Sequence, residues 1–131
     1  MNLITIAIDF DGTVCDHRYP LIGPEAPEAV NTLKDICDIG HRIILYTMRS
    51  GHDLGDAIDW FISRNITLWG VQFNPQQAEW TQSNKCYANL YIDDAAFGCP
   101  LIHPPGFHRP CVDWKAVRKY LLEEKYDDKT C

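Results

Sequence analysis

The chain has no apolar run long enough to cross a bilayer. Its most apolar segments, such as residues 3–8 and 43–46, fall far short of the roughly 20 residues that a spanning helix needs. Basic residues are also few. Twelve Lys and Arg against eighteen Asp and Glu give a formal net charge of −6, which argues against a surface built to grip long stretches of nucleic acid. A phosphate ester held at one small site stays allowed, above all if a metal supplies positive charge. The six cysteines, at 15, 37, 86, 99, 111 and 131, include no C-x-x-C pair. The opening residues carry no basic stretch and soon meet acids, so they do not read as a signal peptide. The thiols accordingly read as reduced and the chain as cytoplasmic. Internal repeats, low-complexity tracts and linkers are absent.

What is present fits one soluble domain. The chain has 131 residues, 46% of them hydrophobic and 23% charged, enough for an ordinary core without staples. Isoleucines at 4, 6 and 8 predict a buried strand over residues 3–8. Residues 14–24 read as a loop. A helix is predicted over 27–39, with Val30, Leu33 and Cys37 on one stripe and Gly40 as its stop. A second strand spans 42–47. Asp53 reads as the N-cap of a helix to about residue 64, with Leu54, Ala57, Ile58, Phe61 and Ile62 inward. A third strand at 67–71 is weakened by Gly70. The polar stretch 74–83 has room for a short helix, a fourth strand covers 87–92, and Leu101-Ile102 reads as a short fifth. Asp113 caps a last helix to about residue 125, and 126–131 form a polar, frayed tail. Strands alternating with helices predict right-handed crossovers and a mostly parallel sheet covered on both faces.

In such sheets ligands bind beyond the carboxyl ends of the strands. Asp9 and Asp11 follow the first strand, Thr47 ends the second, and Asp93 and Asp94 follow the fourth. Lys85, the only lysine between Lys34 and Lys115, lies just before that fourth strand. The i, i+2 spacing of Asp9 and Asp11 aims both carboxylates to one side, and Gly12 lets the chain turn. A plain turn explains Asp11-Gly12 but not Asp9, nor a second acidic pair placed likewise. Four acids at neighbouring strand ends repel unless a cation or protons intervene, and Mg²⁺ with oxygen ligands suits a site that also takes phosphate.

These residues, Asp9-Phe10-Asp11-Gly12-Thr13, Thr47, Lys85 and Asp93-Asp94 in that order, resemble the four motifs of the haloacid dehalogenase-like (HAD) superfamily. The likeness covers residues 3 to about 97, and the segment 10–24 is similar to a small capless, phosphatase-like group. The resemblance implies a three-layer α/β/α sandwich with a Rossmann-like sheet and no cap. It implies a Mg²⁺-dependent phosphomonoester hydrolase. Asp9 is then the nucleophile that forms an aspartyl-phosphate and Asp11 the acid and base. Thr47 and Lys85 contact the phosphoryl group, and Asp9, Asp11 (through its carbonyl), Asp93 and Asp94 hold the metal. An acid at position 11 favours phosphate esters over carbon–halogen bonds, because an alkoxide needs a proton to leave and a halide does not. Receiver domains place their acidic pair first along the chain, whereas here it comes last.

No interval leaves room for a cap, so the site is expected to be open. That suits a phosphorylated small molecule or the terminal phosphate of a larger substrate, including a polynucleotide end or a nucleotide. A non-catalytic phosphate- or partner-binding protein is the rival from another class. Arg49 is the foremost candidate to bind a second anionic group, set against a solvated turn residue. His17 and Arg18 read as loop-ordering. Cys99, His103, His108 and Cys111 lack a familiar zinc spacing and read as a plain connector. Trp60, Trp69 and Trp114 read as packing, and Trp80, in a polar stretch, is the exception. Nothing suggests a membrane partner, and an oligomer stays open.

Overall fold

Alternating isoleucines make the first strand, and the strand in turn organises the sheet. The computed structural model describes residues 2–124. Strand β1 (Thr5–Ile8) lies at the centre of a four-stranded sheet, flanked by β4 (Arg42–Leu45) and β6 (Leu90–Ile92), with β5 (Gly70–Val71) outside β4. All pairings are parallel, as the alternation of strands and helices requires. Ile6, Ala7 and Ile8 are buried, as are Ile43, Ile44 and Leu45. Successive side chains of a strand point to opposite faces, so the two central strands are covered on both sides.

Three α-helices accompany the sheet among the described residues: α1 (Ala29–Ile39), α2 (Gly51–Ser63) and α3 (Trp114–Arg118). Helix α1 turns Ala29, Leu33 and Ile36 into the core and ends at Gly40, whose φ of 113° suits the residue without a Cβ. Helix α3 starts at Asp113, whose carboxylate accepts from the amides of Lys115 and Ala116, and passes into a wider π turn over Lys119–Glu124. Arg118 of α3 reaches Asp35 of α1 at 2.8 Å. No described helix is long and apolar enough to cross a membrane.

The structure corrects several expectations. Residues 14–24 are not a loop: β2 (Cys15–Arg18) and β3 (Leu21–Glu25) form an antiparallel hairpin. Its prolines sit at the turn and near the end of β3, where they displace few ladder bonds. Helix α2 starts three residues earlier than predicted, after Ser50, so Asp53 stands in its first turn and is not its cap. Ile62 is exposed, and Trp60 takes the inward place beside Phe61. The reason is packing: Phe10, Trp60 and Phe61 meet edge-on or tilted, with centroids 5.0 to 6.1 Å apart. The strands predicted at 67–71 and 87–92 shrink to two and three residues. Residues 74–83 hold one 3₁₀ turn at Gln77–Glu79. Strand β7 (Leu101–Ile102) pairs antiparallel with β8 (Cys111–Val112) as a separate ribbon outside the main sheet. The predicted tail at 126–131, with Cys131, lies outside the described residues.

Candidate functional site

The carboxyl ends of β1 and β6 lie side by side, because the amide of Asp9 donates to the carbonyl of Ile92 at 3.0 Å. That bond continues the sheet one step beyond the strands and brings Asp9 against Asp93 and Asp94. Carboxylate oxygens of these three residues lie within 4.8 Å of one another. They are the one such group of potential metal ligands among the described residues. Asp94 is steered from below: the buried hydroxyl of Thr13 donates to its Oδ1 and accepts from its amide, both at 3.2 Å. Thr13 is itself anchored, since the indole of Trp114 donates to its carbonyl at 2.8 Å. Gly12 passes under Asp94 with φ of 81°, and a Cβ there would lie 2.5 Å from Asp94 Oδ2. Asp93 accepts from the amide of Ala95 at 2.8 Å.

This crowding has an electrostatic consequence. Burial, followed by the charges of Asp93 and Asp94, pushes Asp9 up to about 8. Burial also raises Asp94 above the ordinary carboxylate range. Three carboxylates brought this close fit a hard divalent cation, which would relieve their mutual repulsion.

Asp11 shares the cleft but has a different partner. Arg49 Nε donates to its Oδ2 and Arg49 Nη2 to its Oδ1, each at 2.8 Å. The same guanidinium donates to the carbonyls of Pro20, Leu21 and Asp53 at 3.1 to 3.3 Å. Those contacts engage all five N–H groups that an arginine has. Its guanidinium carbon lies over the rings of Phe10 and Tyr19, 5.0 and 5.1 Å from their centroids. Asp11 raises Arg49 above its ordinary value by its hydrogen bonds. Arg49 is 1% exposed. It is therefore no solvated turn residue; its donors pin Asp11 to the hairpin turn. The acceptors on Pro20 and Leu21 stand there because 14–24 folds as a hairpin, so these partners of Arg49 were not legible in the sequence.

Thr47 lies on the cleft wall two residues beyond β4, which stops at Leu45 and not at Thr47 as predicted. Its amide donates to Gln72 Oε1 at 2.9 Å, and Gln72 Nε2 donates back to its carbonyl. Its hydroxyl accepts from the amide of Arg49 at 3.2 Å. Gln72 carries no sequence signal; its φ of 65° turns the chain after β5.

Lys85 does not join the site. Its ammonium lies 5.6 Å from the ring centroid of Tyr91, and its carbonyl accepts from Gln77. The segment leading from it to β6 pairs with the opposite end of β1: the amide of Asn89 donates to the carbonyl of Thr5, and the amide of Thr5 donates to Asn89 Oδ1, both at 2.8 Å. Four residues of strand separate Thr5 from Asp9, about 13 Å. A lysine placed directly before a parallel strand reaches the amino end of the sheet, whereas the acids lie at the carboxyl end.

The acids line a cleft of about 650 Å³, whose other walls include His17, Tyr19, Tyr46, Thr47, Met48, Arg49 and Arg109. His17 thus borders the site, while Arg18 orders it from behind by donating to Asp16 at 3.0 Å and to the carbonyl of Gly106. Sequence reading missed Thr13, Tyr19, Gln72 and Arg109; of these, only Thr13, beside the acidic motif, carried a signal. Cys99, His103, His108 and Cys111 are not gathered into a metal-binding group. Cys111 is buried, and His103 Nε2 stands 2.8 Å from the carbonyl of Phe107. Trp80 is exposed and meets Tyr87 edge-on, away from the cleft.

No family model matches the chain, and no curated protein matches it. A solved structure does. The conserved protein coded by a locus from Bacteroides thetaiotaomicron is 37% identical to it, over 95% of this chain and 93% of that one, with a TM-score of 0.78.

Proposed function

The chain belongs to the family of that conserved Bacteroides thetaiotaomicron protein, and we propose that it is a magnesium-dependent phosphomonoester hydrolase of the HAD kind. The reading includes a three-layer α/β/α arrangement without a cap, with the β2–β3 hairpin standing beside the open cleft. One observation carries it: Asp9, Asp93 and Asp94, far apart in sequence, bring carboxylate oxygens within 4.8 Å at the carboxyl edge of a parallel sheet. Thr47 and Asp11 line the same cleft.

Asp9, Asp93, Asp94 and the main-chain carbonyl of Asp11 would hold Mg²⁺. The ion, when bound, supplies the positive charge that lets an anionic nucleophile approach an anionic ester. Asp9 attacks phosphorus: the bond from its carboxylate oxygen forms as the ester oxygen–phosphorus bond breaks. Thr47 retains its hydroxyl proton for a phosphoryl oxygen, because that hydroxyl only accepts from Arg49. Asp11 gives a proton to the departing oxygen and then takes one from the water that releases phosphate from Asp9. To carry that proton, Asp11 exchanges one of its two bonds to Arg49.

The position of Lys85 supports a second reading, a protein that binds the metal and phosphate without turnover. One assay separates the two. A panel of phosphate monoesters, including p-nitrophenyl phosphate, phosphorylated metabolites and 3′-phosphorylated oligonucleotides, is incubated with Mg²⁺. Hydrolysis that EDTA abolishes, Mg²⁺ restores and Asp9→Asn removes in a folded protein supports the enzyme. Phosphate and Mg²⁺ binding with no turnover across the panel supports the binding protein.

A further inference from the structure

Charge balance in the cleft leaves one task unfilled. The acids contribute Asp9, Asp11, Asp93 and Asp94, and the ester adds a phosphoryl group of like sign. Arg49 is engaged by Asp11, and Lys85 does not line the cleft. One other cationic side chain lines the cleft, that of Arg109.

Resting on the phosphate-ester reading, we propose that Arg109 is the cation that grips the phosphoryl group, the part that Lys85 does not play. Three observations support it. The guanidinium of Arg109 has no carboxylate within 4.0 Å among the described residues, so its donors are not engaged as those of Arg49 are. Its main chain is held in place: the fully buried carboxylate of Asp16 accepts from the amide of His108 at 2.8 Å, from the amide of Arg109 at 3.3 Å and from Arg18 Nε at 3.0 Å. Those bonds lower Asp16 below the ordinary carboxylate range despite its burial. Finally, Arg18 Nη2 donates to the carbonyl of Gly106, which ties the same loop a second time to β2. Pro110 follows directly and restricts Arg109 to extended backbone. A mobile surface arginine needs no buried carboxylate beneath its amide; one that must present a planar fork to an oxyanion over a fixed site does.

The test titrates the full-length protein with inorganic phosphate in the presence of Mg²⁺ by calorimetry. Wild type is compared with Arg109→Ala, Arg109→Lys and, as a control for net charge, Lys34→Ala. Loss of a charge-assisted hydrogen bond predicts phosphate binding weaker by about tenfold or more in Arg109→Ala, with partial rescue in Arg109→Lys. Lys34→Ala should match wild type. The kcat/KM values for p-nitrophenyl phosphate and for an ester with a second anionic group should fall by the same factor in Arg109→Ala. Unchanged phosphate affinity in Arg109→Ala overturns the proposal. So does a loss confined to esters with a second anion, which puts Arg109 at the far end of the substrate. Wild type that binds phosphate but hydrolyses nothing sinks the hydrolase reading alone, and the titration still decides Arg109. Wild type that binds no phosphate sinks both.

Discussion

Arg49 meets both carboxylate oxygens of Asp11 at 2.8 Å, from a site where the arginine is 1% and the acid 11% exposed. The pair is a mechanical joint between β1's end, the start of α2 and the hairpin turn. Removing one member of a buried pair strands the other, at a cost of about 3 kcal/mol or more. Arg49→Met is therefore expected to lower unfolding stability by about that much in urea denaturation. Arg49→Lys should recover little, because an ammonium has three donors and no planar fork. The double variant Asp11→Leu with Arg49→Met should be more stable than Arg49→Met alone. A double variant that is less stable would show that the two residues do not act as a pair.

The acidic triad sets a pH dependence. Asp9 sits at about 8 in the folded protein against an ordinary value of 3.8. Between those values the folded state keeps a proton that the unfolded chain has released, so stability falls as pH rises from about 4 to about 8. Scanning calorimetry in EDTA should give a lower Tm at about pH 8.5 than at about pH 5, and Asp9→Asn should remove most of that decline. Added Mg²⁺ should raise Tm more at the higher pH, where it displaces no proton. A Mg²⁺ effect that is equal at both pH values would argue against Asp9 as a ligand.

Gly12 is held by two constraints at once, a positive φ and the closeness of Asp94. Gly12→Ala is expected to cost more than about 1 kcal/mol, from backbone strain alone. Displacing Asp94 should also weaken Mg²⁺ binding, read by calorimetric titration. Wild-type metal affinity in this variant would mean that Asp94 tolerates the shift or takes no part.

Lys85 offers the clearest contrast between motif and geometry. Lys85→Ala should retain kcat/KM for p-nitrophenyl phosphate within about twofold of wild type, since its ammonium lies over the Tyr91 ring and it does not line the cleft. A fall of a hundredfold would mean that Lys85 reaches the cleft during turnover.

The sequence by itself determined the parallel α/β sheet, a helix that ends at Ile39 with Gly40 as its stop, the N-cap at Asp113 and the meeting of Asp9, Asp93 and Asp94. Each of these is local or follows from a local period: apolar alternation makes strands, and residues directly after parallel strands must share one edge. What only the tertiary structure decided involved partners with no fixed spacing. Tertiary packing turned Trp60 inward and Ile62 outward. It engaged Arg49 with carbonyls of a hairpin that read as a loop, and it left Lys85 outside the lining of the cleft. Long side chains and irregular segments have many sterically allowed placements, and only the contacts made by the folded chain select among them.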